Sequence, residues 1–307
     1  MKQKRVLITG GRGYIGCYLA EEIKSRGAEV FITSRFESND KHCRRMDLLD
    51  DSSVMGVCEG MDAIFHLANL DELLVKEQPK NALLANAFAT RQLYLDAVLQ
   101  GANKFIYFST FHVYGRNFGE IDEKTTPNPK GDYGLTHYFA EEYLRQLSDI
   151  ENLPVAVIRL TNGIGAPCGD YKWYLALNDF CRTVYNTREI VLKSNGLPQR
   201  DFVPIKDAAK AAVILSEIET DSRFEVYNIS SEFTYSIREL ALAVAEVYEK
   251  RYGKKTNLKI PNVSREEIDA VKPLKVYSQK IRKLGWQPTV SLDEVINDIF
   301  DVLERGY

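Results

Sequence analysis

The chain has few residues that would staple it, anchor it or bind a metal. Its five cysteines (Cys17, Cys43, Cys58, Cys168, Cys181) form no close pair, and none stands at ligand spacing to a histidine. They read as reduced packing residues. With His42, His66, His112 and His137 scattered, no metal is expected. No apolar run approaches the roughly 20 residues that span a bilayer. The short run Val6–Thr9 ends at once in glycine, unlike a signal peptide, so no membrane association is expected. Charge of one sign is also missing: 40 Lys plus Arg stand against 43 Asp plus Glu, a net charge of -3 that gives nucleic acid no reason to bind. There is no internal repeat, low-complexity tract or long linker. A soluble, cytoplasmic globular protein is expected, and 307 residues suffice for one large domain and a smaller lobe, at about 100–200 residues per domain.

What is present begins at Val6-Leu7-Ile8-Thr9, which feeds directly into Gly10-Gly11-Arg12-Gly13-Tyr14-Ile15-Gly16. Ile15, Leu19 and Ile23 then recur at helical spacing. Strand, glycine turn and helix in that order bring the N–H groups of a helix N-terminus close to a diphosphate. A purely structural turn is the other reading, but the flanking elements supply the context that a dinucleotide site needs. Gly10, Gly13, Tyr14, Ile15 and Gly16 are the first candidate cofactor residues.

Short β-rich runs at Arg5–Thr9, Val30–Ser34, Ala63–Leu67, Lys104–Ser109 and Val155–Arg159 alternate with helical stretches near Asn86–Leu99 and Tyr133–Leu147. The alternation predicts an α/β fold, a doubly wound parallel Rossmann sheet. The second half is broken by Pro167, Gly169, Gly196, Pro198 and Pro204. Capping boxes at Ser236/Glu239 and Ser291/Glu294 mark two helix starts. We expect residues 1–165, with roughly 201–230, to form the dinucleotide-binding domain, and 166–200 with 231–307 to form a discontinuous substrate lobe.

The second strand ends in Ser34-Arg35, with no acid where NAD's ribose would ask for one. Ser34 and Arg35 suit the 2′-phosphate of NADP, and Arg12 is placed to face the same group. Solvated surface arginines are the other reading, and Glu37 leaves NAD possible. Asp47, before Leu48, suits the adenine amino group or, equally, a helix cap over Asp50–Val57.

These residues resemble the extended short-chain dehydrogenases/reductases, specifically the nucleotide-sugar epimerase/dehydratase group. The resemblance runs nearly end to end. It is carried by Thr9–Gly16, His66-Leu67-Ala68, Asn86 with Thr90, Ser109-Thr110 through Val113-Tyr114-Gly115, and Tyr133 with Ala140-Glu141. Later matches are Arg159 through Asn162 and Gly165, Arg200-Asp201-Phe202-Val203, Tyr227-Asn228, and Leu284-Gly285-Trp286-Gln287-Pro288. The resemblance implies hydride transfer between a nicotinamide and a sugar carbon, with Tyr133 as acid/base and Thr110 positioning the sugar oxygen. It also implies Leu67 and Ala68 beside the cofactor, and Asn162 and Arg200 on the substrate diphosphate. For Arg200 a salt bridge to Asp201 or another acid is the plain structural reading. Arg265 is a weaker second arginine. A homodimer through the helices at 86–99 and 133–147 is expected.

Two departures bear on the chemistry. His137 stands where the family has a lysine, four residues after Tyr133, so it inherits a place at the nicotinamide ribose without a permanent charge. Phe111 and His112 replace the acid pair that dehydratases use, which argues against dehydration; His112 is either an alternative acid/base or a packing residue. Asn69 replaces a small residue after His-Leu-Ala. The expected activity is an NADP-preferring reductase of a keto group on a nucleotide-activated sugar. The alternatives are a 4-epimerase with retained NAD and a non-catalytic dinucleotide-binding regulator. The stretch Gly165–Trp173 resembles the family least.

Overall fold

The computed structural model describes residues 3–169 and 172–306; of the Gly165–Trp173 stretch, residues 170 and 171 lie outside them. Seven strands form one parallel sheet: β1 (Arg5–Thr9), β2 (Glu29–Ser34), β3 (Cys43–Arg45), β4 (Ala63–His66), β5 (Lys104–Thr110), β6 (Val155–Leu160) and β7 (Phe224–Ile229). Their order is β7-β6-β5-β4-β1-β2-β3. The direction of winding reverses between β1 and β4, and ligands of such sheets bind outside the carboxyl ends of the strands at that point. The α/β Rossmann expectation holds.

Alternation along β1 sorts its side chains between two cores. Val6 and Ile8 pack with Leu19 and Ile23 of helix α1 (Gly16–Ser25) on one face. Leu7 packs on the other with Leu93 of α2 (Ala89–Leu99) and Leu144 of α3 (Asp132–Glu151). Every residue of β5 is buried, as a central strand covered on both faces requires. A separate core joins α4 (Ala176–Thr187), α6 (Ile237–Tyr252) and α7 (Leu292–Arg305), while α5 (Ile205–Glu217) packs on the large sheet. Both expected capping boxes form, and a third, Ser264/Glu267, opens the short helix Arg265–Asp269. Late in the chain Leu274–Val276 pairs with Gly119–Ile121, and Ile281 and Trp286 enter the core beside the large sheet. No helix among the described residues is long and apolar enough to cross a membrane.

Two expectations are corrected. The helix near Asn86–Leu99 is not uniform: Leu83–Phe88 is π-helical and α2 follows. At this wider turn the Asn86 side chain accepts from the Leu70 N–H and donates to its carbonyl. The cysteines are not all reduced, because Cys17 and Cys168 are joined by a disulfide. Their separation of 151 residues hides the pairing in the sequence. It arises because the chain after Asn162–Ile164 crosses the start of α1, where the Tyr14 and Tyr18 hydroxyls donate to the Gly165 and Ala166 carbonyls. Cys43, Cys58 and Cys181 stay free.

Closing so long a loop stabilises the fold by up to about 4–5 kcal/mol in the chain-entropy account. Cys168→Ser is therefore expected to unfold at lower denaturant with or without reductant, and the parent to fall to the same midpoint only on reduction. A parent midpoint indifferent to reductant would contradict the bridge.

Candidate active site at the carboxyl ends of the strands

The glycine turn is built by close approach. The Gly13 N–H donates to the Gly10 carbonyl at 2.8 Å, and a methyl group on Gly16 would lie 2.2 Å from that same oxygen. Only glycine lets α1 start this close to β1. No side chain caps α1, so its first N–H groups face a cavity of about 580 Å³. Gly10, Gly13, Tyr14, Ile15 and Gly16 line it, with Leu67 and Ala68 after β4 and Thr110 and Tyr133 farther along.

A directed chain of hydrogen bonds underlies this cavity. The Leu67 and Ala68 N–H groups both donate to Thr9 Oγ1 (3.1 Å each), and the Thr9 hydroxyl donates to His66 Nδ1 (2.7 Å). The Thr90 hydroxyl is committed to the Asn86 carbonyl (2.7 Å), so His66 Nε2 must donate to Thr90 Oγ1 (2.9 Å). His66 is therefore a neutral Nε2–H imidazole, and burial drops its pKa to about 3. Asn86 Nδ2 continues to Thr136 Oγ1 (3.3 Å), whose hydroxyl donates to the Tyr133 carbonyl (3.2 Å). The glycine turn and the start of α3 are thus tied through the floor.

Thr110 ends β5, and Tyr133 opens α3 directly above His137. Gly134 permits the approach: a methyl group there would lie 2.6 Å from the His112 carbonyl. Burial raises the pKa of the Tyr133 hydroxyl above its usual value, the Asp71 and Glu72 carboxylates raise it further, and a hydrogen bond with Thr110 opposes them. The His137 ring meets Tyr133 edge-on at 4.7 Å between centroids. Its Nδ1 shares a 2.7 Å hydrogen bond with the Tyr107 hydroxyl, and Nε2 is buried without a partner. Burial lowers the pKa of His137 to about 3, so it brings no charge at neutral pH. It lies beneath Tyr133 rather than in the cavity wall. His112 does line the cavity, and its pKa is lowered by desolvation, with Glu72 opposing.

The remaining candidates separate by position. Ser34 and Arg35 lie at the far end of β2, where Ser34 Oγ accepts from the Phe36 N–H and Arg35 covers the Phe36 ring. Arg12 reaches Cys43 Sγ at 3.8 Å, which brings it to the β3 end. Glu37 is paired with Arg45. The helix cap is Asp50, whose side chain accepts from the Ser52 N–H; Asp47 accepts from the Leu49 N–H, just before it. None of Ser34, Arg35, Asp47 and Leu48 lines the cavity. Arg200 has no salt bridge to Asp201, which is buried and bonded to Thr161 (2.6 Å) and the Ser231 N–H (3.2 Å). Arg200 lines an adjoining outer cavity, and Asn162 lines both. Arg265 sits 92% exposed on its short helix.

A family profile described as "NAD dependent epimerase/dehydratase family" matches residues 6–230. The chain belongs to that family. It is 29% identical, over 78% of each chain, to UDP-N-acetyl-alpha-D-glucosaminuronate decarboxylase of Bacillus cytotoxicus. It is 26% identical to mouse dTDP-D-glucose 4,6-dehydratase, over 99% of this chain and 90% of that protein. The structure of UDP-glucose 4-epimerase from Thermotoga maritima, solved with UDP-glucose, superposes with a TM-score of 0.83 over 98% of this chain and 99% of that one, at 22% identity. These names cover three reactions on nucleotide sugars, so the reaction here has to be argued from the site.

The NAD-dependent family's cofactor fits the residues present. Gly10, Gly13 and Gly16 form a cradle that a side chain at Gly16 would fill, and Leu67 and Ala68 complete it. Sequence reasoning missed the strap over this cradle. Lys172 pairs with Asp71 (2.8 Å) and donates to the Tyr174 hydroxyl (2.7 Å), joining opposite walls. It also missed Tyr107 beneath His137. The Glu141–Arg159 pair was visible only as matching letters: Arg159 Nη2 lies 2.6 Å from Glu141, which accepts from Ser109 at 2.5 Å.

Thr90→Val leaves the His66 N–H without an acceptor and is expected to cost about 1–3 kcal/mol of stability, read by denaturant unfolding. His66 and His137 both have pKa near 3 in the fold and about 6.5 when unfolded. The unfolded chain thus binds more protons between those values, and stability is expected to fall as pH drops from about 6.5 toward 3. Unfolding midpoints at pH 7 and pH 5 check the sign.

Proposed function

We propose that the protein reduces a keto group on a nucleotide-activated sugar. The dinucleotide, when bound, supplies the hydride to the carbonyl carbon. Tyr133 donates its phenolic proton to the oxygen, and Thr110 holds that oxygen in place. The observation that carries this reading is that no cation acts on the Tyr133 hydroxyl. With neutral His137 below it and carboxylates at its side, Tyr133 stays protonated, the form a proton donor needs. Withdrawing a proton from a sugar hydroxyl would instead need the phenolate, which a neighbouring cation normally stabilises. Phe111 transfers no proton, which disfavours dehydration. Ser34, Arg35 and Arg12 favour NADP over NAD. A homodimer through α2 and α3 belongs to the same reading, with Leu99 and Phe139 exposed on those helices.

One feature favours a second reading, a 4-epimerase that keeps its NAD. Cys168 is joined to Cys17, and Lys172 bridges to Asp71 across the cavity. Two such links beside the cradle suit a dinucleotide that never leaves.

The test is the cofactor released by denaturing the purified protein, followed by turnover with NADPH and a nucleotide 4-keto-sugar. The reductase reading predicts an empty or exchangeable site, tighter NADPH than NADH binding, and one NADPH consumed per product. Stoichiometric retained NAD⁺ with interconversion of C4 epimers and no net consumption would replace it with the epimerase. Failure to bind either dinucleotide would favour a non-catalytic protein. Tyr133→Phe is expected to lower kcat by about 10²–10⁴ with KM little changed.

A further inference from the structure

Beyond Tyr133, away from the glycine turn, a second cavity of about 550 Å³ opens. Four cations line it (Lys76, Arg116, Lys130 and Arg200) against two carboxylates, Glu72 and Asp132. Lys76 is paired with Glu72 at 2.9 Å. Among the described residues the other three cations form no ion pair; Arg116 donates only to the Glu120 carbonyl (2.8 Å). Arg200's charge acts across the cavity on Glu72 and His112.

These cations fall into two groups. Arg200 stands on the strand Gln199–Pro204, beside Asn162, which donates to the Asp201 carbonyl. Arg116 and Lys130 belong to the Tyr133 side. Arg116 follows Gly115, which adopts φ 65°, and Lys130 precedes Gly131, the N-cap of α3. A side chain on Gly115 would collide with the Asn128 carbonyl at 1.7 Å and meet Lys130 Cγ at 3.1 Å. The glycine therefore seats the Arg116 turn directly on the Lys130 segment. The two segments that carry these cations are thus in contact, and neither cation has an ion-pair partner among the described residues, although Asp132 lines the same cavity. Unpaired cations gathered in one cavity attract an anion.

We infer that the sugar unit of the substrate carries a carboxylate, making it a nucleotide-activated uronic acid, and that Arg116 and Lys130 receive this group. This rests on the proposal that the cavity takes a nucleotide sugar. A diphosphate engages Arg200 and Asn162 on one wall, and the reacting carbon stands at Tyr133. The sugar's far end then meets Arg116 and Lys130. A guanidinium beside an ammonium suits a carboxylate, which the fork of arginine can take bidentately. A neutral hexose would leave both charges without a partner.

Calorimetric titration of the purified protein with UDP, UDP-glucose and UDP-glucuronate, repeated on Arg116→Gln/Lys130→Gln, tests it. Loss of a charge-assisted contact of about 1.5–3 kcal/mol corresponds to about 10–100-fold in affinity. The parent is expected to bind UDP-glucuronate at least about tenfold more tightly than UDP-glucose. The double variant should lose that preference while binding UDP and UDP-glucose as before. Equal affinity of the parent for both sugars would overturn the inference while leaving the nucleotide-sugar reading intact. So would a variant that weakens all three ligands alike, which would assign the cations to the diphosphate. If none of the three binds, the nucleotide-sugar reading itself fails and this one with it.

Discussion

The hydrogen-bond chain from Thr9 through His66, Thr90, Asn86 and Thr136 to the Tyr133 carbonyl is what the site depends on. Each link fixes the next: Thr9 has its lone pairs taken by two backbone N–H groups, so its hydroxyl can only donate, and His66 must then accept at Nδ1 and donate at Nε2. A buried chain of this kind tolerates no reversal, because a flipped link leaves an unpaired group in the interior. Through it the glycine turn after β1, the segment after β4 and the start of α3 hold one geometry. The dinucleotide cradle and the tyrosine are positioned by the same polar thread.

Burial sets the electrostatics at the far end of that thread. The residue below the tyrosine, His137, is a buried, neutral histidine joined to Tyr107. Positive charge is placed elsewhere: on Lys172, spent on Asp71 across the mouth, and on the cations of the outer cavity. The inner site therefore protects a protonated phenol, while the outer site gathers cations. Both features fit an enzyme that gives a proton to the oxygen of a charged sugar. The Lys172–Asp71 bridge across the mouth pulls the other way, toward a dinucleotide held through many turnovers.

Much of this was legible in the sequence, and the reason is local. Five strands were found within a residue or so of their ends, because buried parallel strands read as short apolar runs and glycine or polar residues end them. Capping boxes announce themselves over four letters. The cavity-lining residues Thr110, Tyr133, Asn162 and Arg200 stood out in a different way, through matching letters. What stayed hidden depends on segments far apart in the chain. Nothing near Cys17 points to Cys168, and nothing near Asp71 points to Lys172. The π-helical turn at Leu83–Phe88 looks like an ordinary helix, since its apolar residues keep nearly helical spacing. The burial of His137 was equally invisible: the spacing puts it on the Tyr133 face of the helix but not beneath the ring.

The central claim is that Tyr133 stays a neutral proton donor because His137 brings no charge. The most direct measurement is the pH dependence of single-turnover hydride transfer in both directions, in the parent and in His137→Lys, between about pH 7 and 9.5. His112 and His137 are already deprotonated across this range. The account predicts a flat profile for reduction by the parent, with slow oxidation, and faster oxidation in the lysine variant as Tyr133 begins to ionise within the range. A parent that oxidises readily with a titration near neutrality, unchanged by the lysine, would contradict it.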